Sequence, residues 1–280
     1  MNGEKSMTAN MTRILSGQTH GEVRVERLVK QAAESEARLS AIVEDEPYEE
    51  KGVFNSELLL FISVVEILEP NRIVESGRAR GHSTKVLARY FQKRDIDIVS
   101  IEKSRGTNDD EIARNKLEHH DQLQLKDGDS SEILESVLEP FTVVLIDGPK
   151  GDEALKMALD LLKGDETAAV FVHDLHRNTL HRDLSELLFN YNYFSDDETF
   201  VEEFRHLDDP CWKHLNDTWA PYLRKGEEIE SYASTFGVFF NGDEPIDSLR
   251  EDNYRKFLGW QECDLQSHIK NAIASVGPSY

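Results

Sequence analysis

Apolar positions along this chain change their period near residue 70. Over residues 22–45, Val23, Val25, Leu28, Val29, Ala32, Ala33 and Leu39 recur at roughly helical spacing, which predicts a helix. A second helix is expected over 54–68, capped by Asn55 or Ser56 and stopped near Pro70. Short apolar runs then alternate with helical stretches. Strands are expected at 72–76, 97–102, 123–129, 141–148 and 168–175, with helices at 82–94, 110–120, 130–138, 152–163 and 182–191. One more strand is expected in "STFGVFF" (234–240). Alternating strands and helices imply right-handed crossovers, a mostly parallel sheet and helices on both faces, an α/β architecture. "VVLI" and "AVFV" are continuously apolar, as strands covered on both faces should be.

The same pattern divides the chain. Residues 1–20 read as a loose tail, 21–68 as N-terminal helices, 69–242 as the core and 243–280 as a helical extension. An aromatic stretch at about 205–226, holding His206, Cys211, Trp212, His214, Trp219 and Tyr222, is too long for a tight connection. It reads as an insertion over one end of the sheet, either walling a pocket or forming a satellite core.

Composition narrows the function. With 280 residues and 39% hydrophobic content, the chain can bury a large core. Its two cysteines, Cys211 and Cys263, form neither a disulfide framework nor a zinc pattern and fit a reducing compartment. No secretory leader is read in residues 1–20. The run "LLLFISVVEIL" (58–68) is too short to span a bilayer and contains Glu66, so a soluble, cytoplasmic protein with no membrane partner is expected. The formal charge of -22, from 54 acidic and 32 basic residues, repels phosphate backbones and argues against nucleic acid as a partner. A salt-adapted organism and an ordinary acidic protein would both produce it.

The chemistry concentrates at the strand ends. In an open parallel sheet, ligands bind at the carboxyl ends of strands, where the strand order reverses. "VESGRARGHST" (74–84) ends the first strand and opens a helix. Gly77 permits a tight turn and Gly81 a close backbone approach. The helix N-terminus offers free N–H groups, and Ser83 and Thr84 are placed to cap it or touch a ligand. The spacing is neither the G-x-G-x-x-G of a dinucleotide fold nor a P-loop, which needs lysine where His82 stands. A carboxylate ahead of the glycines, Glu75, suits a cationic amine. Glu102, at the end of the second strand, could accept both ribose hydroxyls or pair with Lys103 or Arg105. Asp129 and Ser130, after the third strand, could meet an adenine, and Asp129 is equally placed to cap the next helix. A nucleoside with a zwitterionic amino-acid tail matches all three positions.

These segments resemble the class I S-adenosylmethionine-dependent methyltransferases. "VESGRARGHST" is similar to that family's first motif, "IVSIE" to its second, "FTVVLIDGPKG" to its fourth-strand motif and "AVFVHDL" to its fifth. The likeness is strongest to the small-molecule O-methyltransferases and their cephalosporin-hydroxylase-like relatives, with Ala79 at the usual middle glycine. It covers roughly residues 55–195 and adds "STFGVFF" as an antiparallel strand. The resemblance implies a Rossmann-like doubly wound sheet and a small hydroxylated acceptor. It also implies a cofactor site drawn from Glu75, Gly77, Arg78, Gly81, Ser83, Thr84, Glu102, Lys103, Asp129, Ser130 and Asp147.

The catalytic candidates are Asp147, His173, Asp174 and His176. Asp147 and Asp174 end the fourth and fifth strands and should share one crevice. Metal-dependent members of the resembling group follow such a pair with Asn to bind Mg²⁺, but here Leu175 stands in that place. A metal-free route would use a neutral imidazole as base, from His173 or His176, with His181 more distant. His173 and Asp174 alternate along the fifth strand, so only one of them can face the crevice. Two other readings share the fold: an S-adenosylmethionine-binding protein without transferase activity, and an NAD-type oxidoreductase, disfavoured by the absent third glycine. "DGPKG" after the fourth strand argues against a nucleic-acid adenine methyltransferase. The helices at 22–68 could form a homodimer interface or cap the monomer.

Overall fold

The computed structural model describes residues 22–49, 51–164, 166–177, 179–189, 192–213 and 235–240. The expected tail at 1–20, the extension at 243–280, Cys263, and His214, Trp219 and Tyr222 of the aromatic stretch lie outside the described residues.

Two helices, α1 (Glu22–Asp45) and α2 (Asn55–Leu68), precede β1 (Arg72–Ser76). Then follow α3 (His82–Phe91), β2 (Asp97–Glu102), α4 (Asn108–Leu117), β3 (Leu123–Asp127), α5 (Ser130–Val137), β4 (Thr142–Ile146), α6 (Asp152–Lys163) and β5 (Thr167–Val172). After these come α7 (Leu180–Leu188), β6 (Asn192–Phe194), α8 (Glu198–Phe204), a 3-10 turn at Arg205–Asp208 and β7 (Gly237–Phe240). The seven strands of the described residues lie in the order β3-β2-β1-β4-β5-β7-β6. β1 to β5 pair in parallel, and β7 runs antiparallel to both β5 and β6. The expected mostly parallel sheet with one antiparallel strand near the C-terminus is therefore observed. The sequence reading missed β6, whose three residues give no period to detect.

The central strands are covered on both faces. In β1, Ile73 joins the core beneath α1, α2 and α3, while Val74 joins the core beneath α5, α6 and α7. α2 is almost wholly inside: Leu58, Leu59, Leu60, Phe61 and Ile62 are each 0% exposed. Each such side chain contributes about 1.5–3 kcal/mol through burial. A homodimer through this helical pair would have the outer face of α1, not α2, to offer. The start of α2 differs from expectation. Phe54 is the capping position, and its N–H donates to Glu57 Oε2 at 3.0 Å. Asn55 and Ser56 turn instead toward the 3-10 turn. Asn55 donates to the Leu207 carbonyl at 2.9 Å, and the Ser56 hydroxyl to Asp208 at 2.6 Å.

The described part of the aromatic stretch packs here as well. Trp212 meets Phe54 edge to face at 5.5 Å, and Cys211 is buried, so this portion forms a satellite core against the start of α2.

Candidate functional site

The strand order turns at β1 and β4: chain connectivity moves outward from β1 through β2 to β3, and on the other side from β4 to β5. Here the backbones of two loops nearly touch. Gly77 has φ +90°, and a Cβ on it would lie 2.7 Å from the Gly148 nitrogen. Any side chain at position 77 would push the two loops apart. The Asp147 and Gly148 N–H groups both donate to the Ser76 carbonyl, at 2.8 and 2.9 Å, which locks the loops together. Beside them lies a cavity of about 940 Å³, lined at the strand ends by Gly77, Glu102, Lys103, Asp129, Ser130 and Pro149. Along α5 and α6 its lining mixes apolar Leu134, Met157 and Leu161 with charged Glu153, Lys156 and Asp160.

Of the expected cofactor residues, Gly77, Glu102, Lys103, Asp129 and Ser130 line this cavity. Glu102 uses one oxygen to accept the Ala79 N–H at 3.0 Å and the other to accept the Ser104 N–H at 2.9 Å. A carboxylate offers about four acceptor positions, so both oxygens keep capacity for ligand hydroxyls. Asp129 caps α5 through the Ser131 N–H at 3.0 Å and pairs with Lys103 at 2.6 Å. Lys103 and the Ser131 cap together pull its carboxyl down to about 2.

Five candidates of the β1–α3 segment stand elsewhere, and Asp147 lies at the corner described below. Glu75 is fully buried and turned into the packing between β1 and α3, where it accepts hydroxyl bonds from Ser83, Thr84 and Ser100. Burial raises its pKa, and the three hydroxyls hold the shift back. Glu75 faces Ser83, Thr84 and Ser100 here rather than the cavity, and the Ser83 and Thr84 hydroxyls both bond it. Arg78 is buried as well. It donates to Asp110 at 2.8 Å and to the carbonyls of Ser100 and Lys126 at 3.1 and 3.3 Å, so it anchors the glycine loop from below. Gly81 begins α3 with φ +75° and sits so close to α4 that a Cβ would be 3.0 Å from Leu117.

The catalytic candidates gather at the tips of β4 and β5. β5 ends at Val172, and Asp174 has φ +64°, so strict alternation no longer applies. His173 and Asp174 both come to the same corner, which corrects the expectation that only one would. His173 Nδ1 bonds Asp147, and its Nε2 lies 3.5 Å from Glu57. Burial alone would lower the His173 pKa, but the Asp147 and Glu57 carboxylates outweigh it and lift the imidazole to about 10. That balance favours the charged imidazolium, held between Asp147 and Glu57. His176 is partly exposed, with Nε2 3.7 Å from Asp174. His181 pairs with Asp152 at 3.2 Å, away from this corner's carboxylates.

Sequence reasoning missed two members of the corner. Lys150 Nζ bonds Asp147 and lies 2.7 Å from Asp174 and 3.0 Å from His173 Nδ1. Burial works against its charge, but the two aspartates raise its pKa on balance. The signal was present: a lysine three residues after the strand-end aspartate in "IDGPKG" can fold back onto it. Glu57 gave no signal, because its partner lies 116 positions downstream, at His173.

Residues 74–175 match the profile of a family described as "Methyltransferase domain". That segment is similar to methyltransferase domains. The matched stretch runs from β1 to just past β5 and holds the strand-end lining of the cavity and the Asp147 corner. No curated protein matches this sequence. Solved structures with a related chain path include the O-methyltransferase of Streptomyces achromogenes involved in tomaymycin synthesis, in complex with SAM. It is 18% identical, covers 86% of this chain and 100% of its own, and has a TM-score of 0.43. A Podospora anserina methyltransferase bound to SAH is 16% identical, with 86% and 97% coverage and a TM-score of 0.42. A Bacillus cereus O-methyltransferase with SAH is 17% identical, with 84% and 99% coverage and a TM-score of 0.40. At this level of likeness nothing follows about substrate.

The resembling metal-dependent enzymes raise the question of Mg²⁺. Asp147, His173 and Asp174 each bring one ligand atom to within 4.8 Å of the others. A hard cation nevertheless fits poorly here. Lys150 already stands among the three, one of them is a nitrogen ligand engaged by Asp147, and Leu175 offers no side-chain oxygen. Among the described residues no helix is long and apolar enough to cross a membrane.

Proposed function

We propose that this chain transfers a methyl group from S-adenosylmethionine to the hydroxyl oxygen of a small acceptor. The observation that carries the reading is the cavity at the sheet's turning point, lined by Gly77 and Glu102 within the segment similar to methyltransferase domains. The residues fit an adenosyl ligand: Glu102 holds spare acceptor capacity for ribose hydroxyls, and Asp129 and Ser130 stand where a base edge would come. The bound cofactor supplies an electrophilic methyl group on a sulfonium sulfur.

This chain's own groups do the rest. Lys150 offers an ammonium donor to an acceptor oxygen and favours its ionised form. Asp147 and Asp174 hold that ammonium in place. His173, kept charged by Asp147 and Glu57, fixes the Asp147 carboxylate from behind. A phenol or another readily ionised hydroxyl, which releases its proton to solvent and binds as the anion, suits a site in which the Lys150 ammonium faces the acceptor oxygen. The reading also takes the partner as a small molecule rather than nucleic acid, in keeping with the charge of -22.

Isothermal titration with S-adenosylmethionine, S-adenosylhomocysteine and NAD tests the cofactor. Saturable binding of the first two and none of NAD is expected. Binding of NAD alone would refute the reading.

A further inference from the structure

We infer that the acceptor end of this site works around the ammonium of Lys150 in place of a divalent cation, and that the intact protein binds no metal there. Three carboxylates surround the corner: Asp147, Asp174 and Glu57. Two cationic side chains already answer them. Lys150 Nζ touches Asp147, stands 2.7 Å from Asp174 and lies 3.0 Å from His173 Nδ1. His173 joins Asp147 on one side and approaches Glu57 at 3.5 Å on the other.

A divalent ion entering here would have to displace the ammonium from two carboxylates. It would also have to take an imidazole nitrogen that Asp147 already engages. The resulting set would be two carboxylates and one nitrogen, with no amide oxygen from the next residue, because Leu175 is apolar and 1% exposed. Mg²⁺ demands near-octahedral oxygen ligation and gives up water reluctantly, so it gains little from this set. The raised pKa of Lys150, where Asp147 and Asp174 overcome burial, agrees with a permanent charge at that point. The ammonium is placed to do for an acceptor hydroxyl what a bound metal would do, holding the oxygen and stabilising its negative charge. It does so as a donor of N–H bonds rather than as a Lewis acid.

The inference rests on the functional reading only for the oxygen that the ammonium faces. Its cation half stands on the corner itself and is tested without turnover. Mn²⁺ serves as a paramagnetic probe, because binding diminishes the free-ion resonance. Full-length wild-type protein at equimolar Mn²⁺ is expected to leave the resonance at its buffer level, with and without S-adenosylhomocysteine. Lys150→Met uncovers three carboxylates answered by one cation and is expected to bind Mn²⁺, whereas Lys150→Arg, which keeps the charge, is not. Mn²⁺ binding by the wild type, abolished by Asp174→Asn, would overturn the inference. So would silence of a folded Lys150→Met variant, since the ammonium would then not be what excludes the ion. S-Adenosylmethionine binding, measured separately by calorimetry, reports on the functional reading alone.

Discussion

Replacing Arg78 by Met removes a guanidinium that is 0% exposed in the side chain and joins three elements. One nitrogen meets Asp110 on α4 at 2.8 Å, and the other reaches the carbonyls of Ser100 on β2 and Lys126 on β3. Breaking a buried pair from one side costs about 3–5 kcal/mol, because the remaining charge stays buried. Asp110 keeps the Arg114 side chain at 3.0 Å and the Gly106 N–H at 2.9 Å. Against the cost of burial, these partners and Arg78 hold its carboxyl well below the usual range. The loss should therefore fall at the lower end, about 3 kcal/mol, which in a domain of this size lowers Tm by roughly 6–12 °C. Because Arg78 follows Gly77, the same change should loosen the cavity mouth and weaken S-adenosylmethionine binding. Urea unfolding and calorimetry on wild type, Arg78→Met and Arg78→Lys measure both effects, with Lys intermediate. A stable Arg78→Met protein with unchanged cofactor affinity would refute the assignment of Arg78 as the loop's anchor.

Gly77→Ala places a Cβ 2.7 Å from the Gly148 nitrogen at a positive φ, so a stability loss of about 2 kcal/mol or more is expected by urea unfolding. Glu102→Ala removes two backbone hydrogen bonds and the proposed ribose acceptor, and should weaken S-adenosylmethionine binding at least about tenfold by calorimetry. Lys150→Met should reduce kcat by about a hundredfold while leaving cofactor affinity nearly unchanged, read as single-turnover methyl transfer. Burial lifts the Asp208 carboxyl to about 7, so the folded state binds that proton more tightly than the unfolded chain. The stability it contributes is present below about pH 4 and is lost as pH rises through 7. Asp208→Asn should flatten that part of the decline when wild type and variant are unfolded in urea across this range.

Element positions were legible because burial on two faces writes continuous apolar runs, as in "TVVLI", and burial on one face writes a helical period, as in α6. β6 was not, since "NYF" is held by pairing with β7 rather than by any pattern of its own. In the site, sequence located the strand-end residues but not the directions of their side chains. Glu75 faces inward because the sheet register sets Ser100 opposite it and α3 places Ser83 and Thr84 above it. That arrangement of three hydroxyls cannot be read without the pairing. His173 looked like a base because Glu57, which helps hold its proton, comes from α2, far away in sequence. Lys150 was within reach of local reasoning, and the motif's likeness to a plain strand end concealed it.

The most direct test is a titration of S-adenosylmethionine into the full-length protein, repeated with Glu102→Ala. The account predicts one-to-one binding to the wild type that weakens sharply in the variant. No heat of binding, or binding indifferent to Glu102, would contradict it.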